Sequence, residues 1–144
     1  MAALSNYFEN VLIDDLFRGI AYTSPGTLYI GLLTAAPSDS TAGTEVSGGS
    51  YARAAVVSGT STWTNTQNSG TGASSGTSGT TTNAGSITFA TPTAAWGTIT
   101  HVGIYDAATA GNLLVYAPLT VSKTVSSGDV VQFQANQLSF QIDD

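Results

Sequence analysis

Thr98-Ile-Thr-His-Val-Gly-Ile-Tyr105, Asp106-Ala-Ala-Thr-Ala-Gly-Asn112 and Leu113-Leu-Val-Tyr116 form the stretch whose reading decides the fold. Val102 and Ile104 alternate with His101, Gly103 and Tyr105, the period of two of a strand with one buried face. Asp106 to Asn112 is a seven-residue break of small and polar residues that contains a glycine, so the chain reverses there. Leu113 to Tyr116 resumes an apolar run as a second strand. The stretch reads as a central β-hairpin, with the rest of the chain placed to cover its faces.

Downstream, Leu119 to Val125 and Val130 to Ala135 flank Ser126-Ser-Gly-Asp129, the signal for a second hairpin. Leu138, Phe140 and Ile142 then alternate with Ser139 and Gln141. Upstream, Ile87 and Phe89 mark a strand that Thr91-Pro92 ends, and Trp96-Gly97 leads into the central hairpin. Pro25-Gly26 turns the chain into Thr27 to Leu33. Leu28, Ile30 and Leu32 alternate there, but Leu33 breaks the polar face, which predicts a strand covered on both sides. Ala35 to Ser50 is a long loop. Tyr51 to Val57 follows as a strand with Tyr51, Arg53, Ala55 and Val57 on one face. Glu45 is near enough in sequence to pair with Arg53, a bridge worth little if exposed.

The N-terminal segment, residues 1–20, has a different period. Leu4, Tyr7, Phe8, Val11, Leu12, Leu16 and Ile20 make a stripe at helical spacing. Ser5 suits the N-cap, Glu9 favours the positive end of the dipole, and Gly19 suits the position after Arg18 at the C-terminus. Asp14 and Arg18 stand four apart in the favourable order. An amphipathic helix from Ser5 to Arg18 follows, packed on the domain's own sheet or docked on another subunit. Residues 1–144 therefore read as a single, mainly β domain. The expected architecture is an antiparallel β-sandwich or jelly-roll-like barrel of about eight strands with one N-terminal helix.

Residues 58–86 are the compositional outlier. Apart from Trp63 the segment holds only Ser, Thr, Gly, Asn, Gln and Ala, too little apolar surface to offset the entropy of ordering it. It reads as a flexible surface loop, or as an arm that orders against a neighbouring subunit with Trp63 anchoring its base.

Composition excludes several function classes. Only 8% of residues are charged, against about a quarter in ordinary soluble proteins. The net charge is -6, and Arg18, Arg53 and Lys123 are the three cations, so no nucleic-acid backbone and no anionic membrane surface is expected as a partner. Acidic residues interleave the apolar ones near the N-terminus, unlike a secretory leader, and no apolar run is long enough to span a bilayer. Cysteine is absent, which excludes disulfides and thiolate metal sites. His101 is the single histidine, and no G-x-S-x-G supplies a nucleophile for it. Asp106 and Asp129 sit in turns where Asp bonds its own backbone. Calcium-loop and phosphate-loop patterns are missing, and Asp143-Asp144 reads as a solvated tail. The expectation is a protein that is not an enzyme, with no catalytic residue, cofactor or metal site.

A resemblance adds to this reading. Leu28-Tyr-Ile-Gly-Leu-Leu-Thr34 with Pro37, and Gly43-Thr-Glu-Val-Ser-Gly-Gly-Ser-Tyr-Ala-Arg53, carry its first half. Trp96-Gly-Thr-Ile-Thr-His-Val-Gly-Ile-Tyr-Asp-Ala107, Gly111-Asn-Leu-Leu114, Lys123-Thr-Val125 and Gly128-Asp129 carry the second. With the opening helix that ends in Phe17-Arg18-Gly19, the chain resembles small structural proteins of tailed-bacteriophage virions, either head-decoration (cement) or tail-fibre-like. Residues 58–86 are longer and richer in Ser, Gly and Thr than that family leads one to expect.

The resemblance implies a structural role with no catalytic residues to carry over. It leads to the expectation of a capsid decoration protein, a homotrimer over capsomer joints whose partners are the major capsid protein and copies of itself. The alternative is a tail or tail-fibre component that contacts a host cell-surface glycan or protein. A carbohydrate-binding module, with Tyr51, Trp63, Trp96 and Tyr116 as its aromatic residues, is the third reading. Expected interface residues are Leu4, Tyr7 and Phe8 in the N-terminal segment, with Trp63, Thr66, Ser75 and Thr82 in the 58–86 arm. Deletion of Thr66–Thr82 is expected to leave the monomer folded and to weaken assembly.

Overall fold

The computed structural model describes residues 2–38, 41–68 and 70–142; Asp143-Asp144, read above as a tail, lies outside them. Among the described residues there are ten strands and one helix, and every strand pairing is antiparallel.

The central hairpin forms as expected. Strand β7 (Gly97–Tyr105) pairs with β8 (Leu113–Val125), and β2 (Thr27–Ala35) lies on the other side of β7. Both β1 (Ala3–Leu4), on β8, and β3 (Thr44–Glu45) with β4 (Ala54–Val57), sharing the far edge of β2, complete a six-stranded sheet. Ile30, Gly31, Leu32 and Leu33 are buried in succession, so β2 is covered on both sides, as Leu33 predicted.

Two differences concern β8. It is one strand of 13 residues rather than two. Ile99 pairs with Lys123 and His101 with Pro118, so β8 spends five residues where β7 spends two and bulges outward at Leu119–Ser122. The turn at Ser126–Asp129 exists, with Asp129 Oδ2 accepting from the Ser126 amide at 2.7 Å and Gly128 at φ 86°. It joins no hairpin. Its Gly128 amide bonds the Pro92 carbonyl at 2.8 Å, and the chain crosses to a second layer, where β9 (Gln132–Phe133) pairs with β6 (Ile87–Thr88). Turn chemistry marks the reversal but leaves the next strand's partner to long-range packing.

That layer consists of two ribbons, β6–β9 and β5 (Thr80–Thr82) with β10 (Ser139–Gln141). Ile87, Phe89, Leu138 and Phe140 from it join Ile30, Leu32, Val102, Ile104 and Leu114 of the main sheet in one apolar core. The arrangement is a layered, open β fold, and no barrel closes.

Helix α1 (Asn6–Phe17) begins and ends where its caps predict. Ser5 Oγ accepts from the Phe8 amide at 3.3 Å and donates to the Leu113 carbonyl, tying the helix start to β8. Gly19, at φ 68°, closes the helix, with the Ile20 amide on the Asp14 carbonyl at 3.1 Å. No residue of the helix is fully buried, so its hold on the domain's own sheet is partial.

Candidate interaction surfaces

On the face of the main sheet where Gly31 and Gly103 lie, Glu45, Arg53 and Tyr105 gather, with Tyr51 reaching them from the edge of the core. Gly31 and Gly103 face each other across β2 and β7. A Cβ on Gly31 would lie 2.7 Å from Tyr105 Cε2, and one on Gly103 would lie 3.0 Å from the same atom and 2.7 Å from Leu113 Cδ1. The glycine pair thus makes room for the Tyr105 ring to lie flat on the sheet. Arg53 stacks on that ring, with Cζ 3.5 Å from its centroid.

The guanidinium makes four hydrogen bonds. Nε and Nη2 grip Glu45 at 2.8 and 2.7 Å, and Nη1 donates to the Ala107 and Ala110 carbonyls at 2.7 and 2.8 Å. Tyr51 completes the set by donating to Glu45 Oε1 at 2.8 Å and accepting from the Leu32 amide at 2.8 Å. With side chains 8% and 25% exposed, the Arg53–Glu45 pair is more than the surface bridge considered from sequence. Burial pushes the Tyr105 phenol up to about 12, with the Glu45 charge adding and the Arg53 charge opposing. Burial also raises Tyr51, reinforced by Glu45. Arg53 thereby ties the Ala107–Ala110 loop to Glu45 on β3, and Tyr51 ties Glu45 to β2.

His101 and Asp106 keep to local structure. His101 is half-buried in β7 with Nδ1 2.9 Å from Thr100 Oγ1. Asp106 accepts from the Asn112 amide and side chain, both at 2.7 Å, and so closes the hairpin loop. Among the described residues no three His, Cys, Asp or Glu side chains gather as metal ligands, and no helix is long and apolar enough to cross a membrane.

The expected interface residues do not converge on one surface. Leu4 lies in β1, half-buried and paired with Val115, and Phe8 turns inward to meet Tyr22 edge-on at 5.7 Å. Tyr7 is exposed. Trp63 is half-buried against Phe140, with ring centroids 6.3 Å apart, and its Nε1 is buried with no hydrogen-bond partner. Thr66 donates its amide to Ser74 Oγ at 3.2 Å, and Ser75 Oγ accepts from Gln67 in the exposed tip. Thr82 belongs to β5, paired with Ser139 and bonded through Oγ1 to Asn136 at 3.0 Å.

Residues 58–86 are therefore more than a loop. Their two ends run antiparallel, through the Thr64 amide to the Thr82 carbonyl, the Ala84 amide to the Thr62 carbonyl, and the Trp63–Asn83 bridge. Asn83, which sequence reasoning passed over, fixes this base. It is wholly buried, donates to the Gly85 and Gln134 carbonyls at 2.7 and 2.8 Å, and accepts from the Leu138 amide at 2.8 Å. Its sequence signal was weak, a single amide at the end of a threonine run.

The described residues form an open, layered β domain in which Arg53, Asp106 and Asn83 fix loops in place. A protein-family model described as podophage GP4 fiber I protein gp80 matches residues 3–141, and the chain belongs to that family. The protein is accordingly a structural component of a bacteriophage virion. A search of the curated proteins finds no match.

Proposed function

We propose that the protein serves as a non-enzymatic component of the tail-fibre apparatus, in contact with copies of itself and with neighbouring virion proteins. The observation that carries this reading is the fibre description of a family that spans almost the whole chain. An open β domain with long loops and a low-charge surface suits a module that packs into a larger assembly or presents loops to a host glycan or protein.

The capsid decoration reading, a trimer on the major capsid protein, is the second. What favours it is the globular form of the domain and a sequence without the repeats of a fibre shaft. Sheared virions separate the two. Recovery of the protein with the tail fraction supports the fibre reading, whereas retention on emptied heads transfers the assignment to decoration.

A further inference from the structure

Strand β4 leaves one edge of the main sheet without a partner. The Ser58 amide bonds the Gly26 carbonyl at 3.0 Å, and the register pairs Val56 with Leu28 and Ala54 with Ile30. Hydrogen-bonded pairs alternate along an antiparallel ladder, so Ala54 and Val56 spend their backbone groups on β2. Their side chains are buried in the core. Ala55 and Val57 do the reverse: their side chains are exposed, and their amides and carbonyls point away from β2. Thr62 Oγ1 donates to the Val57 carbonyl. The Ala55 and Val57 amides and the Ala55 carbonyl have no partner among the described residues. Beside this edge runs a cleft of about 360 Å³, whose far wall is residues 85–88. The Phe89 amide bonds the Val131 carbonyl, so by the same alternation Thr88 in that wall turns its backbone groups away from β9.

The remaining long edge of the main sheet is defended. Beyond its two pairs with β1, β8 carries Pro118, an outward bulge at 119–122 and the exposed Lys123, all of which hinder another strand from pairing there. Strand β4 has no such device: Ala54-Ala-Val-Val57 is flat, apolar and free of charge. A row of outward amides and carbonyls matches the backbone of another extended segment.

Charge and size indicate whose segment it is. Residues 54–64 and 84–88 include no Asp, Glu, Lys or Arg, so the complementary strand is uncharged where it touches them. Each copy of the chain carries a net charge of -6, which opposes pairing between copies. Four residues of strand edge are also too small a contact to overcome that repulsion. A segment tethered within a larger assembly is different, because its effective concentration makes a short edge contact sufficient.

We propose that the outer edge of β4, with the cleft beside it, receives an extended, uncharged segment of a neighbouring virion protein as an added strand. The inference rests on the reading of this protein as a virion component that contacts its neighbours, and it names the surface and the kind of contact.

The test compares the isolated full chain with the same chain in purified particles, by hydrogen exchange read with residue-level mass spectrometry. The Ala55 and Val57 amides are expected to exchange freely in the isolated chain and at least about 100-fold more slowly in particles. The Val56 amide, already bonded to β2, is slow in both. Ala55→Pro removes the outward amide without touching a bond to β2, and is expected to cut the copy number in particles about tenfold. Ala55→Ser keeps the amide and is expected to assemble as the wild type does. Circular dichroism checks that each variant is folded; if Ala55→Pro is not, the exchange comparison decides alone. In this cysteine-free chain, Val57→Cys carrying a benzophenone label is expected to cross-link in particles to an uncharged stretch of a different virion protein. Cross-links to this chain itself, or protection of Ala55 that grows with the concentration of the isolated protein, overturn the choice of partner. A wild type present in particles with Ala55 still exchanging freely overturns the inference and leaves the virion reading standing. So does normal incorporation of a folded Ala55→Pro variant. Absence of the wild type from washed particles overturns both.

Discussion

Asn83→Ala is the substitution whose cost the structure defines most fully. The change removes three hydrogen bonds at 2.7, 2.8 and 2.8 Å. The Leu138 amide loses its only side-chain acceptor inside the fold, which costs about 1–3 kcal/mol. The Gly85 and Gln134 carbonyls belong to exposed residues and recover water in part, so each adds about 0.5–1 kcal/mol. A net loss of about 3 kcal/mol is expected, a large share of the 5–15 kcal/mol typical of a domain. Urea titration followed by tryptophan fluorescence reads it, and at about 2 kcal/mol per molar urea the midpoint falls by about 1.5 M. Trp63, paired with Asn83 through a β-bridge, reports from the site itself. Asn83→Asp keeps the acceptor for Leu138 but aims a carboxylate at two carbonyls. That variant is expected to gain stability as pH falls and the new carboxyl regains a proton to donate. A midpoint shift below about 0.3 M for Asn83→Ala would refute the claim that this amide ties the 58–86 base to the second layer.

Other outcomes follow from the same geometry. Arg53→Ala is expected to cost about 3 kcal/mol through the orphaned Glu45 and two freed loop carbonyls. Arg53→Lys restores less than half of it, because an ammonium lacks the planar fork; calorimetry of both, alone and with Glu45→Gln, checks this. Gly103→Ala forces a methyl against Leu113 and the Tyr105 ring and is expected to cost about 1–3 kcal/mol by denaturant titration. The raised Tyr105 phenol makes stability full below pH 10 and lost as pH climbs toward 12, since the unfolded chain releases that proton first. Tyr105→Phe is expected to flatten the profile, and an unchanged slope contradicts it. Replacing Gln67–Ser78 by Gly-Gly is expected to leave the fold intact by circular dichroism. Removing Thr66–Thr82 takes away β5, the partner of β10, so the larger deletion is expected to destabilise the monomer by denaturant titration, where the sequence alone leads one to expect a folded monomer.

How far the sequence could be read depends on which interactions set each element. Period-two alternation in Val102–Ile104 and in Leu28–Leu32, together with the caps Ser5 and Gly19, is local, and those elements appear where expected. The Asp106 and Asp129 turns were legible for the same reason. Pairing in the second layer was not. Nothing near Gln132 or Phe133 says that they meet Thr88 and Ile87 rather than β8, because that choice rests on burying Phe89, Leu138 and Phe140 together. The threonine run Thr80–Thr82 lacks apolar residues, yet forms a strand because β10 and Thr64 satisfy its backbone from a distance. On α1 the sequence stripe implies a single buried face, yet Leu16 and Ile20 of that stripe are exposed together with Ile13 and Phe17. For the glycine pair, alternation hides the meaning: Gly31 and Gly103 look like gaps in a polar face until the Tyr105 ring is seen to fill them.

The most direct test of the virion assignment is to count this protein in purified phage particles by quantitative mass spectrometry against the major capsid protein, before and after tails are sheared away. The account predicts a fixed, stoichiometric copy number that leaves with the tail fraction. Absence from washed particles would contradict a structural role in the virion altogether.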